Sequence, residues 1–267
     1  MSDTLYAARQ YVSVNHRELF SLAATSLVAA FCLTVRDLLF VRFGEIPPII
    51  ELLGTALAIF VIMLLALWVT KLIAVRVGYV IEYVPHKVGL IGGVILSIIS
   101  LGYLPLFLPG GLRFELPPRL RVGKFRSWYK GWEVGLIAGA FPFVITFALL
   151  PLSALFLAGV PGMELLVVAT WLVALFACLP LPMLGKHKGE LKDFHDTVKK
   201  LRGSSFGLDV FYASGPWFLI LCAYVLIIGI LTWTLMTLGY PLGLWAYGFS
   251  VLFALMAGAV FMRFFQD

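Results

Sequence analysis

The chain has 267 residues, of which 61% are hydrophobic and 13% charged, and its mean hydropathy is +1.00. This hydrophobic fraction is larger than the core of a soluble domain of this size needs, which argues against a soluble enzyme or a nucleic-acid-binding domain. The sequence instead predicts an all-α polytopic membrane protein, in which the net charge of +6 lies in loops beside the membrane.

Six runs of about 20 apolar residues are long enough to cross a bilayer as helices. They cover residues 19–35, 49–69, 134–160, 165–184, 217–238 and 242–261. Residues 1–18 are polar and lack a small-residue cleavage site, so we expect an N-terminal cytoplasmic or interfacial segment rather than a cleaved signal. The rest of the chain, 19–267, is expected to form one transmembrane domain that ends in a helix pair at 217–264.

The apolar segment 88–108 is shorter, because its helical part covers about 13 residues before Gly102, Pro105 and Pro109 interrupt it. If this segment enters the membrane and returns, about 18 of the 20 Lys and Arg residues lie on one face, against about 15 if it crosses. Charge therefore favours six transmembrane helices plus one re-entrant segment. Both termini are then cytoplasmic, and the plasma membrane is the expected location.

Two stretches on either side of this segment, 79–84 and 111–116, are rich in β-branched and aromatic residues. We expect them to pair as short strands. Because unpaired backbone groups are costly at membrane depth, such strands need protein around them.

The helix before the first of these strands carries the most informative motif. Residues 66–79 resemble the first motif of the site-2 protease family of intramembrane zinc metalloproteases, in its archaeal-like form. In that family H-E-x-x-H runs into a Lys/Arg-x-x-Ala-x-Arg-x-Gly-Tyr tail, which is present here as Lys71, Ala74, Arg76, Gly78 and Tyr79. The two histidine positions, however, hold Ala66 and Thr70, and the glutamate position holds Leu67. These side chains cannot bind zinc or activate its water.

Later segments resemble the same family. Its third ligand is an aspartate in P-x-P-P-L-D-G, where this chain has Gly185 followed by Lys186. Residues 139–145 are similar to its A-G-P-x-x-N helix, with Ile145 in place of the asparagine. The resemblance covers about 55–185 and implies a protease-like core without zinc or any other cofactor. It also implies that a strand region can hold an unwound peptide, here Val80, Ile81, Glu82, Tyr83 and Val84 with Leu112 and Phe114.

Two basic stretches are expected on the cytoplasmic surface. In the first, cations alternate with aromatics immediately before a span, which is typical of a membrane-surface collar on anionic lipid headgroups. Its residues are Arg119, Arg121, Lys124, Arg126, Trp128, Lys130 and Trp132. A docking site for an acidic partner is the alternative. The second stretch, 186–203, has the periodicity of an amphipathic surface helix. His86, near the first strand, is expected to be a surface histidine.

These features predict a catalytically inactive, site-2-protease-like protein that binds, chaperones or structurally supports other integral membrane proteins, as part of a hetero-oligomer. The alternative is an accessory subunit of a large membrane complex that has no peptide groove. A hydrolase of another mechanism is disfavoured, because no span pairs a serine or cysteine with a histidine. A groove function requires an exposed strand edge near 80–84, whereas a subunit requires an apolar helix flank against a fixed partner.

Overall fold

The computed structural model describes residues 12–39, 48–115, 131–181 and 205–265. Within these ranges the chain forms helices and one two-stranded sheet. The first part contains α1 (His16–Leu39), α2 (Pro48–Val77), β1 (Val80–Val84), α3 (Lys87–Ile99) and β2 (Gly111–Glu115). The second part contains α4 (Gly131–Phe147), α5 (Leu149–Leu157), α6 (Met163–Ala177), α7 (Phe206–Ala213), α8 (Gly215–Thr237) and α9 (Leu244–Phe265).

Five helical stretches in the described ranges are long and apolar enough to cross a membrane. They are His16–Arg36, Ile49–Val77, Gly131–Leu157, Gly215–Thr237 and Leu244–Arg263. Each overlaps one of the predicted spans. The protein is therefore a mostly helical, polytopic integral membrane protein.

The remaining predicted span, 165–184, is described as far as residue 181, and in this part it is helical within α6, which has 15 residues and ends at Ala177. A helix of that length rises about 22 Å, less than the ~30 Å of a typical hydrocarbon core. It ends early because Pro180 disfavours helical backbone at Leu179, the residue before it. The sixth span remains a prediction.

The two predicted strands do pair. β1 and β2 are antiparallel, with Val80 opposite Glu115 and Val84 opposite Gly111. Because Val84 and Gly111 are partners, the chain between them leaves the sheet and returns to it at the same end. This is the path expected of a re-entrant segment.

The segment between the strands runs beside α1 for most of the length of that helix. One cavity is lined by the first turns of both α1 and α3, which places the two helix starts side by side. At the other end of α1, the guanidinium of Arg36 lies 5.1 Å from the ring centre of Tyr103. The rise from Arg17 to Arg36 is about 28 Å, so the segment follows α1 over nearly the full thickness of a bilayer core.

The returning chain, residues 103–110, leads back to β2 in a non-helical conformation and packs against glycines of α3. A Cβ at Gly93 would overlap the carbonyl oxygen of Leu106, and one at Gly89 would meet the side chain of Leu108. Glycines four residues apart allow a backbone to approach a membrane helix closely. The returning chain also contains Pro105 and Pro109, which have no N–H group that requires an acceptor.

The C-terminal helix pair is joined to the rest by a close contact between α6 and α8. The indole N–H of Trp171 donates to the carbonyl oxygen of Val225 at 3.0 Å. A Cβ at Gly229 would overlap the same indole, so only glycine leaves room for it. The last helix, α9, packs chiefly against α8.

Candidate functional site

The positions that resemble zinc-protease ligands lie in the packed core on α2. Ala66, Leu67 and Thr70 are fully buried. The Thr70 hydroxyl donates to the carbonyl oxygen of Ala66, one turn earlier, at 2.7 Å. That hydroxyl is therefore satisfied within its own helix, and the other two side chains offer only apolar contacts. Gly185, the fourth position, lies outside the described residues.

The tail that carries the resemblance forms the end of α2. Gly78 has a φ of 98°, and the Tyr79 N–H donates to the carbonyl oxygen of Ala74 at 2.8 Å. The Gly78 N–H donates to that of Val75 at 3.1 Å. This is the hydrogen-bond pattern of a Schellman cap, which favours glycine at the left-handed position. These tail residues therefore have a structural role, because they end α2 and turn the chain into β1.

A buried tyrosine and a buried glutamate then join this turn to α4. The Tyr79 hydroxyl donates to Oε2 of Glu133 at 2.9 Å, and both side chains are almost completely buried. Glu133 lies in the first turn of α4, where the helix dipole favours a carboxylate. The ring of Tyr79 also forms a T-shaped contact with that of Phe114 on β2, with ring centres 6.2 Å apart. The contact fixes the sheet between α2 and α4.

A buried ion pair holds the other side of the same region. Nζ of Lys71 lies 2.6 Å from Oε2 of Glu18, and the two side chains are 4% and 2% exposed. Lys71 also donates to the carbonyl oxygen of Ser13 at 3.0 Å. The Asn15 N–H donates to the same Glu18 oxygen at 2.9 Å. One carboxylate thus accepts hydrogen bonds from the start of α1 and from the end of α2.

The second oxygen of Glu18 occupies the edge of β1. Oε1 accepts a hydrogen bond from the Tyr83 N–H at 2.9 Å. In an antiparallel pair, alternate N–H groups point away from the partner strand, and the Tyr83 N–H points to α1 instead of β2. A peptide that added to this edge as a strand would need the Tyr83 N–H as a donor. That N–H is already bonded to the Glu18 side chain of the same protein.

The Tyr83 side chain strengthens this closure. Its hydroxyl donates to the carbonyl oxygen of Pro109 and lies 3.0 Å from the hydroxyl of Thr25 on α1. Burial raises the pKa of this hydroxyl well above its ordinary value, so it remains a donor at physiological pH. The ring stacks near Phe141 and Phe206, whose own centres are 4.1 Å apart. α1, the returning chain and α4 therefore converge on one strand residue.

The other predicted peptide-contacting residues lie together on the same sheet. Ile81 and Leu112 are buried, whereas Val80, Glu82, Val84 and Phe114 are partly exposed. Glu82 and Arg113 form a loose cross-strand ion pair at 3.8 Å. The structure thus brings the predicted set into one place. A groove that admits a peptide at this sheet remains a prediction.

The predicted collar falls largely outside the described residues. Trp132, in the first turn of α4, is described and is 60% exposed, whereas Arg119, Arg121, Lys124, Arg126, Trp128 and Lys130 are not described. The predicted surface helix 186–203 also lies outside the described ranges.

The chain on either side of residues 182–204 is held together at Ser205. Its hydroxyl donates to the carbonyl oxygen of Leu179 at 2.8 Å and accepts from the Leu181 N–H at 3.0 Å. A Cβ at Gly207 would overlap the carbonyl oxygen of Cys178. Pro180, the first residue of the segment that resembles P-x-P-P-L-D-G, is therefore fixed against the start of α7.

The expectation for His86 was wrong. His86 is buried, and its Nδ1 accepts a hydrogen bond from the Gly89 N–H at 2.8 Å. It caps the first turn of α3, whose free N–H groups need an acceptor.

Sequence reasoning also overlooked Glu18. The available signal was Asn15 followed three residues later by Glu18, a spacing typical of the reciprocal cap at a helix start.

In the part of the chain that the structure describes, no three or more His, Cys, Asp and Glu residues are grouped as a metal site requires. Comparison of the chain with models of known families, with curated proteins and with solved structures finds no match. The fold and its contacts define a polytopic helical membrane protein with a small two-stranded sheet, and α1 is hydrogen-bonded to the edge of β1 at Tyr83.

Proposed function

We propose that this protein is a catalytically inactive relative of the site-2 proteases that acts as a structural subunit beside other integral membrane proteins. The order and spacing of the motif at 66–79 support the relationship. Peptide hydrolysis by that family needs a metal-bound water and a base, and the buried side chains of Ala66, Leu67 and Thr70 provide neither. Cytoplasmic termini, which the charge distribution suggests, and a location in the plasma membrane belong to the same proposal.

The hydrogen bond between the Glu18 carboxylate and the Tyr83 N–H, at the edge of β1, is the observation that supports a structural subunit. A protein that holds unwound peptides by strand addition needs free backbone donors along the strand. Here the Tyr83 N–H is bonded to Glu18, which is itself paired with Lys71. A peptide could form this hydrogen bond only by displacing Oε1 of a carboxylate whose other oxygen is held by a buried ion pair. A subunit without a peptide groove therefore explains the contacts better than a peptide-holding chaperone.

The C-terminal helix pair offers the flank that a subunit needs. It lies outside the protease-like core, and only 28% of the most apolar stretch of each helix is buried. On α8, the exposed side chains of Leu226, Ile230 and Trp233 recur at helical spacing and form one apolar stripe. Side chains such as Trp233, when a partner buries them, contribute most to protein–protein interfaces. We place the contact with a partner membrane protein on this stripe.

Purification of the tagged full-length protein from its native membrane in mild detergent tests the proposal. We expect one membrane protein to co-purify in a fixed ratio, and Ile230→Ala with Trp233→Ala to remove it, since loss of such anchors costs about 2 kcal/mol or more each. The matched control is Leu57→Ala with Trp68→Ala, because these α2 residues are similarly exposed, at 65% and 49% against 60% and 48%. Equal effects of both pairs, or a mixture of substoichiometric peptides, would contradict the subunit role.

A separate experiment tests the family relationship. Ala66→His, Leu67→Glu, Thr70→His and Gly185→Asp together should restore three ligands and a base, with positions 66 and 70 one helical turn apart. We expect this variant to bind zinc more tightly than the triple variant that retains Gly185. Equal affinities would mean that residue 185 does not face α2, and the relationship would have to be abandoned.

A further inference from the structure

A cavity of about 660 Å³ opens between the first turns of α1 and α3. This volume is within the range of small-molecule sites in proteins. The wall is almost entirely apolar and includes Phe20, Leu90 and Ile91. The charged side chains at the cavity are Arg17 and Lys87, and His16 lies beside them; all three residues are exposed. The residues that line it do not belong to the two-stranded sheet, so the inference is independent of the proposed function.

The charged and apolar groups are separated along the two helices. Arg17 lies in the first turn of α1 and Phe20 three residues further on. Lys87 begins α3, and Ile91 follows it by four residues. Residues three or four apart lie on one face of a helix, so each cation has an apolar side chain directly behind it. Because the two helices begin side by side, both cations lie at the helix starts, and Phe20 and Ile91 lie about one turn further along.

The charge at these helix starts is not neutralised by the described protein. Within the described ranges the ion pairs are Lys71–Glu18 and Arg113–Glu82, so neither Arg17 nor Lys87 has a carboxylate partner. The N-terminal ends of α1 and α3 add partial positive charge at the same place. Behind them, Phe20 is 78% exposed and Ile91 is 62% exposed. An occupant that complements both parts is anionic at one end and long and apolar behind it.

We infer that this cavity binds one anionic phospholipid of the surrounding membrane. Its phosphate lies between Arg17 and Lys87, where arginine can donate two parallel hydrogen bonds and lysine supplies a point charge. One acyl chain lies between α1 and α3 against Phe20 and Ile91. A free phosphate would use only the two cations and leave the apolar wall uncovered. A zwitterionic lipid would cover the wall but carry no net charge to match the two cations.

Photolabelling of the full-length protein tests this assignment. The protein is reconstituted into phosphatidylcholine nanodiscs with a trace of phosphatidylglycerol that carries a diazirine on one acyl chain. We expect label on residues 16–24 and 87–91, mapped by mass spectrometry. Unlabelled phosphatidylglycerol should displace it, whereas extra phosphatidylcholine or inorganic phosphate should not. Each basic residue contributes about fivefold to binding of an anionic lipid, so Arg17→Gln with Lys87→Gln should weaken competition about 25-fold.

The control variant is Arg76→Gln with Arg263→Gln, which removes the same charge from two other exposed positions. It should label and compete like the parent protein, and all variants should elute as the same species after reconstitution. Three results would overturn the inference: equal displacement by phosphatidylcholine, displacement by inorganic phosphate, or label outside the two segments. An unchanged Arg17→Gln, Lys87→Gln variant would also exclude the proposed headgroup contacts.

Discussion

The buried pair of Lys71 and Glu18 gives the sharpest prediction about stability. Lys71→Met removes one charge and leaves the Glu18 carboxylate buried, with only the Asn15 and Tyr83 N–H groups to stabilise it. Loss of one partner from a buried pair costs about 3–5 kcal/mol, and the two remaining donors put this variant near 3 kcal/mol. Glu18→Gln leaves the ammonium of Lys71 with neutral oxygens alone. We expect that variant to lose about 4 kcal/mol.

The double variant distinguishes a buried pair from two independent contacts. Glu18→Gln with Lys71→Met removes both charges, while the amide oxygen of Gln can still accept from Tyr83. We expect it to lose about 2 kcal/mol, less than either single variant, because no unpaired charge remains buried. The free energy of unfolding is measured by sodium dodecyl sulfate titration of the protein in mixed micelles, followed by tryptophan fluorescence.

An exposed pair in the same sheet supplies the control. Glu82 lies 3.8 Å from Arg113, and both side chains are about one-third exposed. Glu82→Gln should therefore change the free energy of unfolding by less than about 1 kcal/mol. A cost below about 1 kcal/mol for Lys71→Met, or a double variant equal to the sum of the singles, would refute the argument from burial.

Three further predictions concern topology, packing and metal content. A cysteine at position 87 should react with a membrane-impermeant thiol reagent only from the side that labels a cysteine at position 123. Labelling from opposite sides would mean that the segment 88–108 crosses the membrane as a seventh span. Gly229→Val should destabilise the protein by about 3 kcal/mol because its side chain overlaps the indole of Trp171, whereas Gly248→Val, which has open space, should cost under about 1 kcal/mol in the same titration. Purified protein should contain less than about one-tenth equivalent of zinc and keep its unfolding midpoint in chelator; stoichiometric zinc whose removal unfolds the protein would contradict this.

Local patterns in the sequence predicted the parts of the fold that depend on local composition. Apolar run length located the five helical stretches, and β-branched and aromatic residues located β1 and β2. Run length did not locate the end of α6, because the apolar run continues past Pro180 whereas α6 ends at Ala177. The sixth span itself stays a prediction. The resemblance directed attention to Ala66 and Thr70, which are fully buried in the core.

The contacts that close the edge of β1 could not be predicted in this way. Glu18 and Lys71 are 53 residues apart in the chain, and Glu18 and Tyr83 are 65 apart. Nothing in the residues around Glu18 indicates which distant group it will meet, since its local spacing specifies only a helix cap. His86 was misassigned for a related reason. A histidine after a proline looks like a loop residue until the helix that it caps is known.

The closed edge of β1 also bears on the order in which the protein is made. Glu18 leaves the ribosome before Tyr83, whereas Leu112, the strand partner of Tyr83, is synthesised later. The outer edge of β1 can therefore bind to α1 while the chain that becomes β2 is still being translated. In this order of events β1 forms its first edge contact with α1. Its outer edge is therefore hydrogen-bonded before β2 has been made.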